Sequence, residues 1–316
     1  MLPIATRVTF LMVEHCKIRM GGSVPVRIDT SPADGESPAD GESPADGESP
    51  ADGESPADGE SPADGESPAD GGVIGNNAEE MVRETPIPID RLACLMLGPG
   101  TSISQDAIKA CADAGCLVLW TGESGVRVYS AGQPGGASGT HILRQAEMIL
   151  DPQKRLQAAR RLYRRMMGAE PPANRSIERL RGLEGVWVRN RYAELAKLHG
   201  VDWQGRNQKL SDPANCAISM ATSTLYGITE AAILALGYSP ALGIVHSGNE
   251  RSLVFDMADT VKFRTVVPLA FEMAARGEDK DMAGTVRRAC RDLFVKEKVL
   301  ELLVDIIQEV FDAQDR

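Results

Sequence analysis

The chain has 316 residues, 42% of them hydrophobic and 25% charged, which is enough for two ordinary domains and points to a soluble globular protein. No apolar run approaches a membrane span, and the six cysteines, at 16, 94, 111, 116, 216 and 290, include no Cys-x-x-Cys pair, so neither a zinc knuckle nor a disulfide framework is indicated and a reducing cytoplasm fits best. The formal charge of −11 does not exclude a nucleic-acid partner: six full Ser-Pro-Ala-Asp-Gly-Glu repeats carry −12 and Asp70 one more, which leaves +2 for the rest.

In chain order, residues 6 to 13 read as a strand, because Arg7 interrupts the apolar start and Val8, Phe10 and Met12 alternate; this is not a secretory signal. Further strands are expected at 16 to 20, 24 to 28, 86 to 97, 116 to 120 and 126 to 130. Residues 31 to 71 hold the six-residue repeat, whose only apolar side chain is Ala. Such a segment cannot bury a core, and the sequence predicts a disordered loop between two strands rather than a β-helix. One helix is expected from a Ser104 cap through Ala112 to Gly115. Residues 1 to 132 thus form a small, mostly β domain, and 133 to 139 a glycine-rich link.

From 140 to 316 the period is helical. Asp151-Pro152 is a cap followed by proline in the first turn, opening a helix to about Met167. Pro171-Pro172 breaks it, and Ser176 caps the next. A helix rich in Ala, Ile and Leu from near Cys216 to Leu236, stopped at Gly237, is expected at the buried centre. Another runs from about Ser252 with a kink at Pro268, and two more close the chain. The fold class is α+β, an N-terminal mostly β domain followed by an all-α C-terminal domain.

Four residues carry candidate chemistry. Glu184 shares a helix face with Leu180 and Trp187; His246 ends an extended piece; Asp256 and Asp259 stand three apart at a helix start, where the helix dipole favours carboxylates. Each alone has an ordinary explanation, an ion pair of Glu184 with Arg181 or Arg191 among them. Together, three carboxylates and one imidazole suit Mg²⁺ or Mn²⁺ rather than structural zinc. Such a cation commonly serves phosphate chemistry. The segment from Gly139 to Arg191 holds twelve Lys or Arg against five Asp or Glu, a basic stretch suited to a polyanion. Lys262 extends the Asp256–Asp259 face, and Arg181, Arg189, Arg191, Arg288 and Arg291 are candidates for holding a phosphate backbone.

Six stretches carry a resemblance: Leu-Gly-Pro-Gly-Thr101, Gly125 through Gly136, Arg181-Gly-Leu-Glu-Gly185, Thr222 through Ile233, His246 through Phe263, and Cys290-Arg-Asp-Leu-Phe294. They are similar to the CRISPR-associated adaptation integrase, the first Cas protein, of the type I-E kind. The resemblance implies a homodimer that assembles with a small second Cas protein on double-stranded DNA. It implies an endonuclease and integrase in which Glu184, His246 and Asp259 bind Mg²⁺ or Mn²⁺, with Asp256 beside them. The 3′-hydroxyl of a captured fragment would attack a phosphodiester at the CRISPR repeat. Arg127, Tyr226, Lys262 and Arg291 fall where relatives are expected to touch DNA or support the site. Two positions depart from the pattern: His15 replaces a tyrosine that can stack on a duplex end, and Ser102 replaces an arginine. A stand-alone nuclease on branched DNA, or a catalytically silent DNA-binding assembly subunit, are the alternative functions.

Overall fold

The computed structural model describes residues 9–29, 84–132, 139–173, 176–207, 212–277 and 281–312, which fall in one compact unit. The six-residue repeat and most of the glycine-rich link lie outside the described residues.

Among the described residues eight strands form two four-stranded sheets. One sheet has the order β1-β5-β7-β8, from Thr9–Val13 (β1), Leu92–Leu97 (β5), Leu117–Thr121 (β7) and Val128–Ala131 (β8). Its first three strands are parallel and β8 runs antiparallel to β7. The other has the order β4-β3-β2-β6, from Glu84–Pro86 (β4), Val24–Asp29 (β3), Cys16–Gly21 (β2) and Ser102–Ile103 (β6). The stretch 86 to 97, expected as one strand, is two pieces. Pro88 has no N–H to give a ladder, and the chain turns there, with Ile89 and Arg91 donating to the carbonyls of Ile87 and Pro88.

All six residues of β5 are buried, because its sheet is covered on both faces. On one side Leu95, Leu97 and Val118 pack with Val13, Ile18 and Cys111. The last belongs to α1 (Gln105–Asp113), which starts at the expected Ser104 cap, whose hydroxyl accepts from the Ala107 N–H. On the other side Cys94, Met96, Leu117 and Leu119 meet Ala231 and Ala235.

Those two alanines lie on α5 (Pro213–Ala235), the buried axis of the helical part, with fourteen buried residues. It opens at Asp212-Pro213, a little before the expected start, by the same cap-and-proline device that opens α3 (Pro152–Met167). The α2 helix (Thr140–Leu150) is not singled out by the sequence; it starts at Gly139 with no side-chain cap. Around α5 pack α4 (Ile177–His199), α6 (Ser252–Asp259), α7 (Val266–Ala275), α8 (Met282–Lys296) and α9 (Val299–Asp312). Pro268 kinks nothing: α6 has ended, and the proline stands in the first turn of α7, where a missing N–H is tolerated. Among the described residues no helix is long and apolar enough to cross a membrane.

Candidate active site

Asp256 organises the site from inside α6. Its side chain is fully buried, and its Oδ2 accepts the N–H groups of Ile244 at 2.5 Å and Val245 at 3.0 Å. Its Oδ1 accepts the His246 N–H at 3.0 Å and lies 2.7 Å from His246 Nδ1. A carboxylate only accepts, so Nδ1 carries the proton and Nε2 is left as the ligating or basic nitrogen. The hydrogen bond to Asp256 raises the His246 pKa above its ordinary 6.5 against the opposing effect of burial, helped by the charges of Asp256, Asp259 and Glu184.

The helix-start explanation of the two aspartates does not hold. Asp256 sits in the middle of the eight-residue α6 and Asp259 is its last residue, so neither is placed at the positive end of a dipole. What holds Asp256 is the row of loop N–H groups.

Glu184, His246, Asp256 and Asp259 all line one small cavity of about 20 Å³, with Leu162, Tyr163, Met166, Val245 and Thr260. That is room for about one water molecule or a small cation. Glu184 is held not by Arg181 or Arg191 but by the Tyr163 hydroxyl, which donates to its Oε2 at 3.0 Å; Arg191 pairs instead with Glu194. Burial, then the charge of Asp259, raises the Glu184 pKa, against the hydrogen bond from Tyr163. Tyr163→Phe is therefore expected to raise it further, read by ¹³C titration of the glutamate carboxyl. An unchanged titration would deny the contact its role.

Lys262 Nζ stands 2.7 Å from Asp259 Oδ1. Both side chains are largely buried, so solvent screens this ion pair little. Burial works against the ammonium, but Asp259 with the Tyr226 and Tyr192 phenols outweighs it and lifts the Lys262 pKa. Among the described residues no three carboxylate, imidazole or thiol groups stand in ligating geometry around one point. Their chemistry still fits a divalent cation: the largely buried Glu184 and Asp259 carboxylates line one cavity with an imidazole of fixed tautomer, and Lys262 stands beside Asp259 as the positive charge there.

Lys262 also lines a second hollow of about 760 Å³. Of the expected DNA contacts, Arg189, Tyr226 and Lys262 meet there, joined by Tyr192, Trp203 and Arg206. Arg127, Arg181, Arg288 and Arg291 do not line it. All four are exposed; Arg288 pairs with Asp281 and Arg291 with Asp292. Arg291 lines another hollow with Phe10, Met12 and Phe294.

Sequence reasoning did not find Arg206, which is anchored by Asn215 Oδ1 and Ser219 Oγ, each at 2.9 Å. A tryptophan and an arginine close together in a short polar loop, Trp203 and Arg206, were the available signal. Tyr163 had none, since it reads as one more apolar position of α3.

The fold and the pocket define an α+β protein whose helical part carries a carboxylate–histidine site beside a cationic, aromatic hollow. Residues 73–169 and 164–305 match the family model of CRISPR associated protein Cas1. The chain is 49% identical over 237 residues to the CRISPR-associated endonuclease Cas1 of Escherichia coli strain K12, covering 72% of this chain and 76% of that one. It is 47% identical over 234 residues to the protein of that name from Geobacter sulfurreducens, with the same coverage. The chain belongs to the Cas1 family. A crystal structure of a TtCas1–DNA complex superposes with a TM-score of 0.73 at 31% identity, covering 96% of each chain. A casposase bound to integration product shares the fold, with a TM-score of 0.56 at 12% identity.

Proposed function

We propose that this Cas1 chain is a metal-dependent DNA integrase and endonuclease of CRISPR spacer acquisition. In this reading it acts in the cytoplasm as a homodimer together with the small second Cas protein. The observation that carries the reading is the convergence of Glu184, His246 and Asp259 on one small cavity, next to a hollow lined by Arg189, Arg206 and Lys262.

Glu184, His246 Nε2 and Asp259 would hold the Mg²⁺ or Mn²⁺. When bound, such a cation neutralises charge on a phosphodiester and on the oxygens entering and leaving it. Asp256 keeps its place as the group that aims His246, since both its oxygens are already engaged. Lys262, Arg189 and Arg206 hold the phosphate backbone by charge. Trp203 and Tyr226, both partly exposed, offer rings against which unpaired bases stack, with the buried Tyr192 backing Trp203. The reaction is a transesterification: the 3′-oxygen of the captured fragment forms a new P–O bond as the P–O bond in the repeat breaks. The proton of the attacking hydroxyl ends on the departing 3′-oxygen, and the number of phosphodiesters is unchanged.

The test is strand transfer with a short duplex, a CRISPR-repeat plasmid, Mg²⁺ or Mn²⁺ and the small partner, comparing the native chain with Asp259→Asn. Joined products in the first and none in the second are expected. Equal joining in both would remove Asp259 from the site, whereas cleavage of branched DNA without joining or partner would make the chain a stand-alone nuclease. A silent DNA-binding subunit is favoured by one observation, the Lys262 ammonium against Asp259. Native protein that binds DNA but neither cuts nor joins it would establish that alternative.

A further inference from the structure

The loop that delivers His246 is gripped by side chains that the proposed chemistry does not use. Between the end of α5 at Ala235 and the start of α6 at Ser252 the chain has no regular structure, so its carbonyls have no helix or ladder to satisfy them. A row of groups on α2 and α3 receives them in order. His141 Nδ1 lies 2.5 Å from the Leu236 carbonyl, while its ring stacks on Tyr238 at 5.0 Å. Gln145 Nε2 donates to Ser239 O at 2.9 Å and to Leu242 O at 2.7 Å. Its Oε1 accepts the Ser239 N–H at 2.8 Å. Arg155 Nε donates to Ile244 O at 2.7 Å.

At Ile244 the grip passes to the other side of the loop, where Asp256 takes three consecutive N–H groups. Ile244 is thus fixed at both ends, its carbonyl by Arg155 and its N–H by Asp256. Gly243 has no room to gain a side chain. A Cβ there would stand 2.4 Å from His246 O and 2.7 Å from Ser252 Cβ. Gln145 is the strongest single element of the row. It is 0% exposed, and its one amide spends both donors and an acceptor on the loop. A buried amide is retained at such a position only when it is satisfied.

We propose that Gln145, seconded by Arg155, is a positioning residue for His246: it sets the loop so that the imidazole enters the cavity with Nε2 presented to the cation. This rests on the reading of His246 as a metal ligand. A group that orients a ligand without touching the ion commonly changes metal affinity by about 10–100-fold.

The experiment measures Mn²⁺ binding to the full chain by titration calorimetry. It compares the native protein with Gln145→Leu, Arg155→Met, His246→Ala and the double change Gln145→Leu with His246→Ala. Gln145→Leu is expected to weaken Mn²⁺ binding about tenfold or more, and Arg155→Met to act in the same direction. In the His246→Ala background the Gln145 change adds no further loss, because its effect runs through the imidazole. Native affinity in Gln145→Leu beside weakened affinity in His246→Ala would overturn the proposal. So would an equal further loss in both backgrounds, the mark of a merely structural role. Unchanged Mn²⁺ binding in His246→Ala itself would remove His246 as a ligand, and the positioning role with it. Should Gln145→Leu fail to fold, Arg155→Met, changed at a half-buried side chain, and its double with His246→Ala carry the same comparison.

Discussion

Asp256→Ala is expected to lower stability by about 3 kcal/mol or more, since each buried N–H left without an acceptor costs about 1–3 kcal/mol. Three N–H groups, from Ile244, Val245 and His246, lose their acceptor. The imidazole loses its partner at the same stroke. Urea unfolding followed by circular dichroism reads the loss, and a midpoint near that of the native protein would show that the loop is held by other means. Asp256→Asn keeps the shape and one acceptor oxygen, so a smaller loss is expected.

That milder variant also tests the electrostatics. The folded His246 pKa is raised, so the folded state binds this proton more tightly than the unfolded chain does. Its stabilising contribution is therefore fully present below the unfolded value and is lost as the pH rises through the folded one. In Asp256→Asn the histidine is expected to titrate closer to its ordinary value, and this step in stability to shrink. Proton NMR of the His246 ring follows the first effect directly, and an unmoved titration would separate the imidazole from Asp256.

Gly227→Ala is the second large effect. A Cβ at this position of α5 would stand 1.7 Å from the Gly125 carbonyl oxygen and 2.8 Å from Val126 C. Both are backbone atoms, which cannot swing aside as a side-chain end does. Forcing atoms into a filled interior costs typically about 1–3 kcal/mol, and more where the backbone must yield. A melting temperature lower by about 5 °C or more is expected, from the usual conversion for a chain of this size. The control is Gly182→Ala on α4, where a Cβ meets nothing within 4 Å. There the gain in helix propensity should hold or raise the melting temperature. Equal behaviour of the two variants would refute the close approach of α5 to the 122–126 loop.

The elements best read in the sequence were those with local chemical punctuation. Asp151-Pro152, Ser104 and Gly115 fixed helix ends that the structure reproduces. The α2 helix, without a capping side chain, offered no such mark. The break between α6 and α7 was hidden for a different reason: residues 260 to 265 lack Gly and Pro, and the visible proline belongs to the helix after it. For the site, residue types and spacing named the groups now found around one cavity. They did not show how each is held. The Tyr163 contact spans 21 residues and the Gln145 contacts about 94, separations at which periodicity carries no information. The division of labour between Asp256 and Asp259 was equally hidden, because two aspartates three apart on one helix face look alike until one is seen to turn inward to a loop.

On α5, Tyr226 and Gly227 are neighbours in sequence yet face different masters. Tyr226 borders the cationic hollow, while Gly227 rests against the turn that leads into β8. That turn is tied to α8 as well, through Glu123 and Arg287. A stiff helix thus works as an axle with the sheet bearing on one residue and the hollow opening at the next. The sheet and the hollow therefore share one helix, and a change of side chain at 227 is made next door to the hollow's wall.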